Sequence, residues 1–482
     1  MPSVRLPLVV LSLLWFLVIP LGCTGKGPDP ARKTAAAAGP AEAAQTTAVA
    51  QAGPRELATV TGPVKMQVLP QFELLDRRGP SLEFHVLIRL RGEGEVTGER
   101  PPLDLAVVLD RSGSMAGDKL LAVKQATLDL LKELRPIDHL TVIAYDDEIE
   151  VLTERLAADP AGLERARAAV LAIGERGGTA LGPGLFRGLE ILEAAKRAER
   201  ELAHVMLLSD GQANVGEKNP DVLGARAGEG FRRGVSVSTL GVGLDYNEDL
   251  MTKLADQGGG RYHFIQGTDA IPKVLTDEFA GLVATVGSSV TLELRPAPGV
   301  KVARVYGYPA REEQGVTKIP VGSLAAQQQR EIVVRLHVDF GTGGDEAALG
   351  VLALAGNDQT KQGQRFQGEL AAAVRTSADE AAIRKSEKTE VTVRVAEVES
   401  AAKLEEAARA VDSGNYDQAR QVLQASLLQL EAQDKATPSP KLKKQIAEMK
   451  EADAGLDVAR QSVEQEKIYK KQAKSKAYRL AK

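Results

Sequence analysis

Two segments of the chain, residues 58–101 and 287–376, place apolar and polar residues in alternation. In the first, Val64, Met66 and Val68 alternate with polar neighbours. This period of two is typical of strands with one buried face and one face in water. The two segments therefore predict antiparallel β-structure on either side of a central region.

The central region, residues 102–286, combines short continuous apolar runs with stretches of helical spacing. The run from Leu105 to Leu109 has no polar residue, as expected of a strand buried on both faces. A helical pattern follows from about Gly117, and the alternation continues to a helix from Ala270. It predicts a doubly wound α/β domain with a mostly parallel sheet and helices on both faces.

The first flanking segment carries two predicted strands and needs partners, because two strands alone are not stable in water. We expect the two flanking segments to pair into one antiparallel β-sandwich in which the central domain is inserted; a separate small domain on each side is the alternative. The strands predicted after the central region are Val290–Arg295, Val300–Tyr306, Ile332–Phe340, Leu349–Ala355 and Phe366–Val374.

Residues 377–482 contain few glycines and prolines, and helical spacing occurs at Ala401–Val411, Ala419–Leu430 and Leu442–Ile468. This predicts an α-helical hairpin region. Segment Thr389–Val395 fits either a last strand or a helix start. The basic end that follows Glu466 is expected to be a solvated, fraying tail; contact with anionic lipid or cell-wall polymer is the alternative. Its charged and aromatic residues are Lys467, Tyr469, Lys470, Lys471, Lys474, Lys476, Tyr478, Arg479 and Lys482.

Hydroxyl and carboxylate side chains follow the buried runs where the predicted strands end. Asp110 closes the first run, and Ser112 and Ser114 lie on the turn behind it. Thr179 follows two glycines before a helical pattern, and Asp210 ends the buried run 205–208. Ligands of open α/β sheets bind at this edge, and such oxygen donors suit Mg²⁺, Mn²⁺ or Ca²⁺.

With these five residues in this order, the stretch from about 100 to 285 resembles the von Willebrand factor type A family. The resemblance implies that Asp110, Ser112, Ser114, Thr179 and Asp210 form that family's metal-ion-dependent adhesion site. The serines and the threonine would supply neutral ligands, and one or both aspartates would act partly through water and neutralise the ion. A partner protein would then complete the metal shell with an Asp or Glu.

Two other interpretations of these residues stay open. Serine and aspartate behind a strand are also common helix caps, so Ser112 or Ser114 could cap the next helix. The metal could also be purely structural, with the protein acting as an envelope scaffold through its helical C-terminal region. Arg111 is expected at the rim of the site, and Asp146 and Asp147 as surface charges or as supports of the ligands.

The N-terminus predicts export and lipid anchoring. Arg5 precedes an apolar run from Leu6 to Val18, and the chain's single cysteine, Cys23, ends the segment. This resembles a bacterial lipoprotein signal (residues 1–23), although Pro20 replaces the usual leucine. Cys23 would then be acylated; an uncleaved anchor or ordinary secretion is the alternative. In a Gram-negative source, Thr24 favours the outer membrane, and residues 24–57, rich in alanine and proline, predict a disordered tether.

Composition narrows the function classes further. The 482 residues are 43% hydrophobic and 26% charged with a net charge of −4, so no global field argues for nucleic acid. The chain has no phosphate-binding Gly-x-x-x-x-Gly-Lys motif, and its five histidines lack metal-ligand spacing. We therefore expect no enzyme and no channel, but a metal-dependent protein-binding module of the cell envelope, of unknown oligomeric state.

Overall fold

The computed structural model describes residues 57–95, 99–198, 200–340 and 344–482. Cys23, the rest of the predicted signal segment and the predicted tether up to residue 56 lie outside the described residues.

The strands are β1 Leu57–Thr61, β2 Val64–Pro70, β3 Leu74–Asp76, β4 Ser81–Gly92, β5 Leu103–Asp110, β6 His139–Tyr145, β7 Ile149–Ala157, β8 Leu202–Ser209, β9 Val235–Val242, β10 Gly259–Ile265, β11 Thr285–Pro296, β12 Val300–Val305, β13 Arg311–Glu313, β14 Val316–Ala325, β15 Gln329–Asp339, β16 Glu346–Asp358 and β17 Gln364–Ser377. The helices are α1 Asp118–Leu131, α2 Pro160–Ala172, α3 Leu181–Ala194, α4 Pro220–Arg232, α5 Glu248–Gln257, α6 Ile271–Val283, α7 Glu380–Lys385, α8 Thr389–Asp412, α9 Tyr416–Ala436, α10 Pro440–Ala459 and α11 Val463–Ala481.

The flanking strands form two packed sheets, ordered β1-β2-β4-β15-β12 and β13-β14-β11-β16-β17-β3 in the described residues. Strand β4 pairs antiparallel with β15 from Ser81↔Asp339 to Gln329↔Arg91, so strands on the two sides of the central region share one sheet. Inward residues of both sheets form one apolar core, as Val68 and Leu292 illustrate. The sandwich with an inserted central domain is therefore present, since each of its two sheets contains strands from both sides of that domain.

The central domain has one sheet in the order β10-β9-β8-β5-β6-β7. All neighbours are parallel except β7, which pairs antiparallel with β6 at the edge. Every residue of β5 is buried, because helices cover both faces of the sheet. Leu120 of α1 and Leu275 of α6 belong to the core on one face, and Leu185 of α3 and Leu254 of α5 to the core on the other.

The C-terminal region is larger than the predicted hairpin. Helices α8 to α11 share an apolar core, and α10 and α11 replace the single helix that the spacing of 442–468 predicted. The break follows Ala459, and Ser462 caps the new helix by accepting a hydrogen bond from the Gln465 N–H. Segment Thr389–Val395 is the start of α8, whose Val391 and Val395 pack on the sandwich. Among the described residues, no helix is long and apolar enough to cross a membrane.

The prediction of a solvated basic tail is wrong. Helix α11 lies against the central domain, and Lys471 and Lys474 are only 4% and 9% exposed. Both ammonium groups form ion pairs with Glu248 at the start of α5. Tyr478 packs edge-on against Tyr262 of β10, with ring centroids 5.3 Å apart. Sequence alone could not show this, because the acidic partners lie more than two hundred residues away.

Candidate metal centre

Asp110 occupies the last position of the central strand β5, fully buried. Its Oδ1 accepts a hydrogen bond from the Ser112 N–H at 2.9 Å, which tightens the turn after the strand. Its Oδ2 accepts from the Ser209 hydroxyl at 2.7 Å and, more weakly, from the Tyr145 hydroxyl at 3.4 Å. The carboxylate is thus fixed by groups from the neighbouring strands β8 and β6.

Ser112 and Ser114 do not act as helix caps. A short 3-10 turn, Gly113–Met115, separates β5 from α1, and neither its N-cap residue Ser112 nor the N-cap of α1, Gly117, makes a side-chain capping bond. Instead the Ser112 and Ser114 Oγ atoms lie 3.1 Å apart, and the Ser114 hydroxyl donates to Asp210 Oδ1 at 2.7 Å. The turn therefore directs both hydroxyls toward the second carboxylate.

Asp210 follows strand β8 directly and is fully buried. Its Oδ2 accepts a short hydrogen bond from Lys119 of α1, whose ammonium also donates to the Ser114 carbonyl at 3.2 Å. Lys119 is partly exposed, so it lies at the surface of the cluster. The ammonium supplies a positive charge to the two carboxylates from one side.

Thr179 lies on the loop before α3 and reaches the cluster formed by Asp110, Ser112, Ser114 and Asp210. A Cβ placed on Gly211 would meet both the Ser114 Oγ and the Thr179 Oγ1 at 3.3 Å, so these two hydroxyls border one small space beside Gly211. The Thr179 N–H donates to the Asn214 Oδ1 at 2.7 Å, which holds the loop against the segment after Asp210. The structure thus brings together all five residues singled out in the sequence.

A second layer of ion pairs fixes the loops around the cluster. Asp146 is 1% exposed and accepts hydrogen bonds of 2.6 Å from both Arg111 and Arg176. Burial alone would raise the pKa of Asp146, but the bonds from Arg176, the Glu148 N–H and Arg111 outweigh it and lower the pKa. The expectations of Asp146 as surface charge and Arg111 as a rim contact are therefore wrong: they form a buried pair that joins the Ser112 turn to the Thr179 loop.

The electrostatics of the cluster favour a bound cation. Burial raises the pKa of Asp110, and the nearby Asp210 charge raises it further, although the bonds from Ser112 and Ser209 partly oppose this. Two buried carboxylates with three hydroxyls are hard oxygen donors, and a divalent cation relieves their mutual repulsion. Ser114 and Gly113 are exposed, so the cluster opens to solvent on that side. The residues present therefore fit a divalent cation with room for an external ligand.

Among the described residues, no group of three or more His, Cys, Asp or Glu could hold a metal. The cluster is of another kind, since hydroxyls make up most of its donors. His204 and His263 lie elsewhere, around the buried Glu278. Sequence reasoning missed Lys119, Ser209 and Tyr145; Ser209 adjoins Asp210 and Tyr145 ends a neighbouring strand, but no sequence signal pointed to Lys119.

Comparison with known proteins agrees with this geometry. Residues 104–277 match the von Willebrand factor type A domain. An uncharacterized protein of Synechocystis sp. is 27% identical over 291 residues, 57% of this chain and 67% of that protein. The uncharacterized protein YfbK of Escherichia coli is 29% identical over 280 residues, 55% of this chain and 47% of that protein. Inter-alpha-trypsin inhibitor heavy chain H3 of Rattus norvegicus is 33% identical over 164 residues, and this chain spans only 18% of it.

Solved structures extend the likeness of fold beyond the central domain. A von Willebrand factor type A protein from Catenulispora acidiphila superposes with a TM-score of 0.66 at 20% identity, covering 83% of this chain and 91% of that one. The ArnB paralog VWA2 from Sulfolobus acidocaldarius gives a TM-score of 0.55 at 18% identity, covering 86% and 98%. Residues 104–277 are therefore similar in sequence and in fold to the von Willebrand factor type A domain, a class of module that generally mediates protein interactions.

Proposed function

We propose that this protein is a metal-dependent protein-binding module of the cell envelope. A divalent cation, Mg²⁺ in the first place, with Mn²⁺ or Ca²⁺ as substitutes, would be held by Asp110, Ser112, Ser114, Thr179 and Asp210. When bound, it would supply a Lewis-acidic position for an oxygen ligand. The observation that carries the proposal is the convergence of these side chains, from three separate loops, on one solvent-accessible point.

The charge of the site sets the chemistry of the partner. Two aspartates neutralise a divalent cation, and the Lys119 ammonium, bonded to Asp210, adds one further positive charge. The loaded site would thus carry a net positive charge at its exposed side, where an acidic side chain is the natural ligand. We therefore propose that the partner presents an Asp or Glu carboxylate that binds the cation and is attracted by Lys119.

Binding fits this site better than catalysis. The Ser114 hydroxyl donates to Asp210 and the Ser209 hydroxyl to Asp110, and neither has a histidine partner among the described residues. A hydroxyl nucleophile requires an adjacent general base oriented by a third group. We accordingly propose that the protein is not an enzyme.

The function is tested with Asp110→Asn and a matched control, Asp118→Asn, which removes an exposed carboxylate eight residues away on α1. Mn²⁺ binding to the purified protein is measured by titration calorimetry, and partner capture by crosslinking in intact cells with and without EDTA. We expect Asp110→Asn to lose both metal binding and metal-dependent capture, and Asp118→Asn to keep both.

The alternative, an envelope scaffold with a purely structural metal, gives a different result. In that case Asp110→Asn weakens metal binding but leaves capture unchanged, and EDTA has no effect on the captured protein. Absence of Mn²⁺ binding to the unaltered protein would rule out the metal site itself.

Lipid anchoring at Cys23 is a separate part of the proposal and rests on the signal-like N-terminal sequence. Cells grown with radiolabelled palmitate should label the unaltered protein and not Cys23→Ser. Equal labelling of the two would end this assignment. In a Gram-negative host, membrane fractionation should place the labelled protein in the outer membrane.

A further inference from the structure

A cleft of about 650 Å³ lies between helix α4 of the central domain and strands of the sandwich. Both parts of the molecule contribute to its walls. The apolar and the neutral polar residues that line it include Phe231, Pro309, Pro320, Ser289, Thr291 and Asn357. The cleft is far larger than a single water or ion requires, and it is built from elements distinct from those of the metal centre.

Two arginines, one from each side, converge in this cleft. Arg232 ends α4, and Arg311 begins β13, which β14 holds in place by pairing Arg311 with Lys318. A Cβ placed on Gly228 would meet the Arg311 Nη2 at 3.4 Å and the Arg232 Nη1 at 3.6 Å. The two guanidinium groups therefore approach the same point over a bare stretch of helix.

No carboxylate bonds to this pair of arginines. Arg311 donates to the neutral amide oxygen of Gln257 at 2.6 Å. The exposed Arg232 side chain makes no hydrogen bond or ion pair with the described residues. Glu313, the nearest acid, is bonded to Lys318 at 2.8 Å; this bond, together with the charges of Arg232 and Arg311, lowers the pKa of Glu313.

The remaining charges of the cleft strengthen its positive character. Glu293 is neutralised by Arg295, outside the cleft lining, at 2.9 Å. Arg233 pairs with Glu193 at 2.9 Å. The Arg365 side chain lines the cleft without a hydrogen bond or ion pair to the described residues. Three arginines therefore face the cleft without a carboxylate partner.

We propose that this cleft binds a phosphate group, bridged between Arg232 and Arg311. Guanidinium groups arriving from two directions suit a tetrahedral dianion, which accepts hydrogen bonds on several oxygens, better than a planar carboxylate. The volume leaves room for an organic part of the ligand against Phe231 and the prolines. A bound phosphate ester would thus add a second link between the central domain and the sandwich beside the Arg311–Gln257 hydrogen bond.

The test uses the purified full-length protein in EDTA, so that a cation at the metal centre contributes nothing to phosphate binding. Inorganic phosphate is titrated by calorimetry at constant ionic strength against Arg232→Gln, Arg311→Gln and a control, Arg375→Gln, which removes an exposed charge outside the cleft. We expect each cleft variant to weaken phosphate binding about tenfold or more, since each removes a charged hydrogen-bond donor.

The control should bind phosphate like the unaltered protein. Because the Arg232 side chain makes no hydrogen bond or ion pair with the described residues, its substitution breaks no such bond, and an unchanged circular dichroism spectrum of that variant separates loss of binding from misfolding. Phosphate binding that is absent, or equal in all four proteins, would overturn the proposal.

A second arm distinguishes the sources of the phosphate. Phosphatidylcholine vesicles with and without phosphatidylglycerol are sedimented with the Cys23→Ser protein, which lacks the proposed lipid anchor, and with the same protein carrying Arg311→Gln. Sedimentation that requires phosphatidylglycerol and Arg311 assigns the cleft to a lipid headgroup. Phosphate binding without such sedimentation assigns it to a soluble phosphate ester.

Discussion

His204 is expected to make this protein lose stability as the pH falls from 7 toward 4. The imidazole lies on β8 and is 2% exposed; its Nδ1 is 2.6 Å from the Ser236 hydroxyl. Burial lowers the pKa of His204, the charge of Glu278 opposes this, and the positive charges of Arg261 and His263 add to the lowering. Together these effects lower the pKa from 6.5 to about 4. The buried ring therefore stays neutral in the folded protein while it becomes charged in the unfolded chain.

The direction and the size of this loss of stability follow from the linkage between proton binding and folding. Because the folded pKa lies below the unfolded one, the stabilising contribution is complete above pH 6.5 and is lost as the pH falls toward 4. A pKa difference of about 2.5 corresponds to about 3 kcal/mol, and about 2 kcal/mol of this is lost by pH 5. The variant His204→Gln has no such proton to take up, so its free energy of unfolding should fall less between pH 7 and pH 5.

Urea unfolding followed by circular dichroism at pH 7 and pH 5 measures the difference. Ser236→Ala is the matched control, since it removes the hydrogen-bond partner of the ring and keeps the titrating group. It should be less stable than the unaltered protein at both pH values but keep the full pH dependence. If His204→Gln and the unaltered protein lose the same free energy between pH 7 and pH 5, the reasoning about His204 is wrong.

Three further substitutions test contacts of the metal centre and of helix α11. Gly211→Val would fill the space between the Ser114 and Thr179 hydroxyls, which a Cβ at this position would meet at 3.3 Å. The Mn²⁺ affinity measured by calorimetry should therefore fall about tenfold or more, with secondary structure retained. An unchanged affinity would place the metal elsewhere. Lys119→Met removes the ammonium group that pairs with Asp210. It should tighten Mn²⁺ binding and weaken the capture of an acidic partner, because the site loses one positive charge. Weaker Mn²⁺ binding would contradict this role of the Lys119 charge. Lys471→Met leaves Glu248 with less compensation at a buried position and should lower the free energy of unfolding by about 3 kcal/mol, whereas a loss below the error of urea titration would show that α11 is weakly held.

Pattern and spacing predicted much of the central domain, because its strands and helices follow local rules. The run predicted to be buried on both faces is β5 and is buried throughout, and the helical patterns from about Gly117 and from Ala270 correspond to α1 and α6. Strands β13 and β14 were not predicted: β14 alternates but contains Pro320 and follows a polar turn, and its place is set by pairing with β11. The break between α10 and α11 was missed because helical spacing continues across it.

The sequence by itself determined the alternation of buried runs and helices, and therefore the parallel sheet and the strand ends that carry Asp110 and Asp210. It also determined which residues were oxygen donors, because side-chain chemistry does not depend on the fold. Only the tertiary structure decided that Lys119 bonds to Asp210, that Arg111 is buried against Asp146, and that the basic helix α11 pairs with the central domain. Local patterns fix which face of an element is buried, whereas charge partners are chosen among residues distant in the chain by how the packed elements meet.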